Sequence, residues 1–71
     1  MIDVQRLKFG KKITQKRTIA NMTQKQLADA AGVKEVTIRN IERGAFNVPF
    51  DILNRIAVVL GGELDIKIIN R

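Results

Sequence analysis

Residues that interrupt regular structure come so often in this chain that neither a long helix nor an extended sheet fits between them. Asn21, Gly32, Gly44, Pro49 and the Gly61-Gly62 pair divide its 71 residues into short stretches. Glycine takes a left-handed backbone at little cost, asparagine tolerates one, and proline is accepted in the first turn of a helix but not later. Each interruption therefore marks where a helix stops or starts. Between them the apolar residues recur with a helical period. The first segment runs from about Asp3, a candidate cap, to Ile19, and puts Phe9, Ile13 and Arg17 on one line. Thr23 with Gln26 three positions on has capping-box spacing, and opens a short helix Gln24–Ala30 with Leu27, Ala28 and Ala31 facing inward. A third helix spans Lys34–Arg43. A fourth runs from Pro49 to Leu60 on Ile52, Leu53, Ile56, Val59 and Leu60. Beyond Gly61-Gly62 the period changes: Leu64, Ile66 and Ile68 alternate with Glu63, Asp65 and Lys67, which predicts a strand over Glu63–Ile69. The expected fold is mostly α, a single domain over 1–71 with a helical core at about 3–60 and one C-terminal strand. A lone strand cannot satisfy its own backbone, so a second copy of the chain is its expected partner.

Composition narrows the function. The chain has no Cys, His, Ser, Tyr or Trp. Disulfides, zinc fingers, Ser/His and Cys/His nucleophiles and imidazole acid–base chemistry are thereby removed. The seven carboxylates and the lysines form no acid–base couple, so the expectation is a non-enzyme with no metal and no cofactor. Thirteen Lys and Arg against seven Asp and Glu give a net charge of +6. Seven basic residues and no acid lie between Arg6 and Lys25. Lys8, Lys11 and Lys12 among them read equally well as a solvated face. A small basic domain suits a polyanion, which at this level is DNA, RNA or an anionic membrane surface. The longest apolar run, Ile56–Leu60, is far short of the ~20 residues a membrane span needs, and nothing at the start reads as a signal peptide. A cytoplasmic location without membrane association follows. With only three Phe as aromatics, readers that stack single-stranded RNA or DNA bases are disfavoured.

The third helix says where that partner sits. At 100° per residue Ile38 and Ile41 define the inward direction, while Arg39, Arg43, Val36 and Asn40 fall together on the other side. Taken alone, this is also the pattern of an ordinary wet helix face with one stray Val. The preceding helix and turn change that reading. The stretch Gln24 to Arg43, with apolar Leu27, small Ala28, Gly32 in the turn and core residues Val33, Ile38 and Ile41, resembles the helix-turn-helix of the Xre-type family of phage Cro and repressor proteins. A small residue is what lets two such helices approach, and glycine is what suits the turn. The resemblance extends through Phe9-Gly10, Ile13, Arg17, Met22-Thr23-Gln24, Glu42-Arg43-Gly44 and Pro49 to Leu60-Gly61, about fifty residues in register.

What the resemblance implies is a lambda-repressor-like domain that binds duplex DNA and regulates transcription. By that likeness Gln24 anchors a phosphate, while Lys34, Glu35, Val36 and Asn40 stand where family members read base edges. Their chemistry suggests adenine for Asn40, cytosine N4 for Glu35 and a thymine methyl for Val36. Arg39 and Arg43 are assigned to phosphate, with guanine as an alternative that Lys34 shares. Arg17 resembles the family's first-helix Arg that pairs with the Glu closing the third helix, here Glu42, as a structural ion pair. Three positions depart from the pattern. Lys34 stands where Ser or Thr often caps the recognition helix, Phe50 replaces a polar cap on the fourth helix, and Asn21 replaces a Gly. The tail departs too. In place of a fifth helix, a strand with Leu64, Ile66 and Ile68 on one face resembles that of antitoxin regulators, whose subunits pair C-terminal strands. The function implied is a dimeric, sequence-specific regulator, most simply a repressor, on a palindromic operator. The alternative is an antitoxin whose main role is to bind a toxin protein.

Overall fold

The computed structural model describes residues 4–62. Four helices follow one another there: α1 Val4–Ile19, α2 Gln24–Ala31, α3 Glu35–Glu42 and α4 Phe50–Val59. Among the described residues there is no strand, and the strand expected at Glu63–Ile69, with Leu64, Ile66 and Ile68, lies outside them, as does the Asp3 cap. Five helix ends differ from the sequence pattern by a residue: α2 runs one residue further, to Ala31, and α3 and α4 are each shorter by one at both ends, where the flanking residues supply only half of the helical geometry. Lys34 and Pro49 are N-caps of α3 and α4 with extended backbone (ψ 148° and 152°), and Arg43 closes α3. Phe50 is accordingly the first residue of α4, and the cap position belongs to Pro49, which has no side-chain donor or acceptor to offer.

All four helices stop the same way. The residue after the last turn takes positive φ, its N–H bonds the carbonyl three residues back, and the next N–H reaches five back. At α1 these are Asn21 (φ 57°), its N–H on Thr18 and that of Met22 on Arg17 at 3.1 Å. At α2 they are Gly32 (φ 71°), bonded to Asp29, and Val33, bonded to Ala28 at 2.9 Å. These bonds satisfy carbonyls that the helix cannot, and the reversal sends the chain back across the core. At its other end α2 has a complete capping box: the Gln26 N–H donates to the Thr23 hydroxyl, and the Thr23 N–H donates to Gln26 Oε1 at 2.8 Å.

The four segments bury one core. Ile13, Leu27, Ile38, Ile41 and Ile56 are fully buried, with Phe9, Ala28, Ala31, Leu53 and Ala57 around them. Each of the large side chains contributes on the order of 1.5–3 kcal/mol by leaving water. α3 lies against both α1 and α2, and α2 against α4. Phe46, in the loop after α3, packs on the core with its ring 6.0 Å from that of Phe9, and Arg6 lies over the Phe46 ring with its guanidinium carbon 5.5 Å from the ring centre. Two glycines set how close α1 comes to the end of α3. A Cβ on Gly10 would lie 2.3 Å from the Ile41 carbonyl oxygen, and one on Gly44 would lie 2.8 Å from Leu7 Cα. Only residues without side chains allow those backbones to meet.

Candidate nucleic-acid interface

α3 is amphipathic in the sense its spacing predicts. Ile38 and Ile41 are fully buried, whereas Val36 keeps 46 % of its surface exposed. Arg39 and Arg43 are exposed and Asn40 is half-buried on that same side. Lys34 and Glu35, at the start of the helix, are exposed too. Lys34 makes no side-chain cap hydrogen bond, so the first-turn N–H groups of α3 gain no side-chain acceptor from the residue before the helix. Glu35 in that turn complements the positive helix end.

The outward residues of α3 pair with one another. Arg39 Nη2 lies 3.6 Å from Glu35 Oε2, and Arg43 Nη2 donates to Asn40 Oδ1 at 3.1 Å. Exposed contacts of this kind hold only weakly in water and exchange readily for a ligand. Opposite charges at i and i+4 leave this face with both donors and an acceptor, the mixture that base-pair edges in the major groove require.

Behind the face, Glu42 joins three helices. Its carboxylate accepts from Arg17 Nε at 2.6 Å and from Arg17 Nη2 at 3.2 Å, and Gln24 Nε2 donates to Oε1 at 3.0 Å. Arg17 Nη1 also donates to the Met22 carbonyl at 2.8 Å, fastening the α1–α2 turn. The Glu42 side chain is 7 % exposed and that of Arg17 17 %. Burial pushes the Glu42 carboxyl up. Hydrogen bonds from Arg17, Gln24 and Thr14, together with the Arg17 charge, outweigh burial and hold it below the usual carboxylate range. In the Arg17 guanidinium the hydrogen bond to Glu42 outweighs desolvation and raises the pKa.

Helical periodicity alone locates the exposed residues of α3, but not the hydrogen bond between Gln24 and Glu42, eighteen residues apart, nor the pairing of Arg43 with Asn40. Phe46 and Val48 also escaped a reading built on helical period, because they pack on the core from an irregular loop. Their one sequence signal is a pair of apolar residues flanking Asn47 in a stretch too short for a helix, between Gly44 and Pro49. Among the described residues no group of His, Cys, Asp and Glu could hold a metal, and no helix is long and apolar enough to cross a membrane.

Comparison with known proteins gives the arrangement a family. The Helix-turn-helix family model HTH_3 matches residues 13–67. A control protein of Bacillus amyloliquefaciens, Control protein C.BamHI, is 40 % identical over 57 residues, covering 79 % of this chain and 70 % of that protein. The matched region contains α2, the Gly32 turn, α3 and the Arg17–Glu42–Gln24 cluster. With the family model and the relative each matching most of its length, the chain belongs to the Xre-type helix-turn-helix family of DNA-binding transcription regulators.

Proposed function

We propose that the chain acts as a homodimeric repressor that places α3 in the major groove of each half of a roughly palindromic operator. Lys34, Glu35, Val36 and Asn40 read base edges, while Gln24, Arg39 and Arg43 hold phosphates. The observation that carries this reading is the face of α3: an exposed Val36 beside two exposed guanidiniums and a carboxamide, directly opposite the fully buried Ile38 and Ile41. Exposed Arg39–Glu35 and Arg43–Asn40 contacts are traded for DNA contacts at little cost, while the partly buried Arg17–Glu42 pair keeps the helices in place. The net charge of +6 supplies the sequence-independent part of the affinity.

A dimer is supported on two grounds. A 71-residue chain buries only about 60 % of its unfolded surface and is marginal alone. The described surface also exposes Phe50 and Val58, 45 % and 65 %, on α4, and in the sequence after α4 Leu64, Ile66 and Ile68 alternate like a strand. Two-fold symmetry sets recognition helices about 34 Å apart, one turn of DNA. The reading calls for no cofactor, metal or catalysis, and places the protein with its DNA in the cytoplasm. The alternative of toxin binding rests on residues 63–69, outside the described ones.

Selection from random duplexes tests the proposal, because it reports site, symmetry and spacing together. Two inverted half-sites one helical turn apart are expected. A single asymmetric site, or enrichment of nothing, would overturn the dimeric and the sequence-specific parts in turn.

A further inference from the structure

Glu42 is held by Arg17 through two bonds, which already suffice to join α1 to α3. Its third bond, from Gln24 Nε2 at 3.0 Å, reaches the first residue of α2. A carboxylate can only accept, so this bond fixes which end of the Gln24 carboxamide faces it: the nitrogen, not the oxygen. An amide nitrogen carries two N–H groups. One is committed to Glu42, and the second is turned away from it at a defined angle. We infer that Glu42 is a positioning residue for DNA-backbone binding: it orients Gln24 so that one N–H is presented to a phosphate oxygen before DNA arrives. The inference rests on the proposed phosphate role of Gln24.

Two features make the arrangement suited to an anionic ligand. A bare carboxylate next to a phosphate would repel it, but the Arg17 guanidinium neutralises Glu42 at 2.6 Å and the pair presents no net charge. The Glu42 side chain is 7 % exposed, so it is fixed by the core and does not swing with the surface. Gln24 therefore loses less side-chain freedom on binding than an untethered glutamine, whose ordering would weaken the contact. The same carboxylate that ties α1 to α3 thus orders the leading side chain of α2.

The test is a double-mutant cycle in operator affinity. Gln24→Ala is measured in the wild-type chain and in an Arg17→Met/Glu42→Met background, which removes both charges together and keeps the volume. The expected result is a roughly 5- to 10-fold loss in the wild-type chain, shrinking to under about 2-fold in the Met/Met background. Equal losses in the two backgrounds would overturn the positioning role and leave the phosphate role standing. No loss in the wild-type chain would overturn the phosphate role itself. A second measurement needs no variant: NMR relaxation of the Gln24 side-chain NH₂ in the free protein. Order close to that of the α2 backbone is expected, and averaging like that of the exposed Gln15 would overturn the inference even if the Met/Met chain failed to fold.

Discussion

Replacing Gly10 by Ala puts one methyl group where α1 crosses the end of α3. The new Cβ would sit 2.3 Å from the Ile41 carbonyl oxygen and 2.8 Å from that of Glu42. Ordinary contact begins near 3.4 Å, so the helices must part by about 1 Å. Both clashing atoms are backbone, and no side chain can rotate out of the way. Separation would loosen Phe9 and Ile13 on α1 from Ile38 and Ile41 on α3, four buried core residues. Overpacking of this kind costs typically 1–3 kcal/mol. Against it stands a helix-propensity gain of about 1 kcal/mol for Gly→Ala in a helix interior. Backbone against backbone belongs at the upper end of the range, so the net expectation is a loss of about 1–2 kcal/mol. For a domain of this size that is a fall of roughly 5–15 °C in Tm. Circular dichroism at 222 nm against temperature reads it directly. Operator titration well below the new Tm should also weaken, since the displaced carbonyls belong to the last turn of α3. An unchanged or raised Tm would mean that propensity wins and that α1 and α3 are not in backbone contact at Gly10.

Four further outcomes are expected, two from the geometry of Glu42 and Asn40 and two from the charge and the tail sequence. Glu42 has a depressed pKa in the folded chain, so its contribution is present above its ordinary value of 4.5 and is lost as pH falls through the folded value. Glu42→Gln should lower Tm at pH 7 by more than at pH 3, and an equal drop at both would show that Glu42 adds no ionisation-linked stability. Operator affinity should fall steeply with salt, with a log–log slope of about −5 to −9 if each subunit of a dimer neutralises three to five phosphates; a slope shallower than about −2 makes the charge incidental. Asn40→Ala should cost about 1–3 kcal/mol on the best site and relax one base pair per half-site, measured by selection; a uniform loss over all sites would move the reading face elsewhere. Removing residues 63–71 should give a monomer at micromolar concentration by light scattering, with most operator affinity gone, whereas a fully active truncated dimer would put the interface on the helices.

The sequence by itself determined the number, order and type of the four helices, because breakers and caps act locally. Gly32, Asn21 and the Thr23–Gln26 box impose their geometry whatever surrounds them. It also determined which side of α3 meets the core, since Ile38 and Ile41 admit only one inward direction at 100° per residue. The pairing of Arg17 with Glu42 was legible only through resemblance to a family: nothing in the spacing of residues on two helices says that their side chains meet at 2.6 Å. What the tertiary structure alone decided depends on distances between segments. The close approach of α1 to α3 at Gly10 and Gly44, the return of Phe46 to the core from a loop, and the capture of Gln24 by Glu42 all arise from how the helices are set against one another. Local sequence fixes backbone angles within a segment, whereas packing fixes angles between segments. The few tenths of an ångström that separate a hydrogen bond from a clash belong to the second.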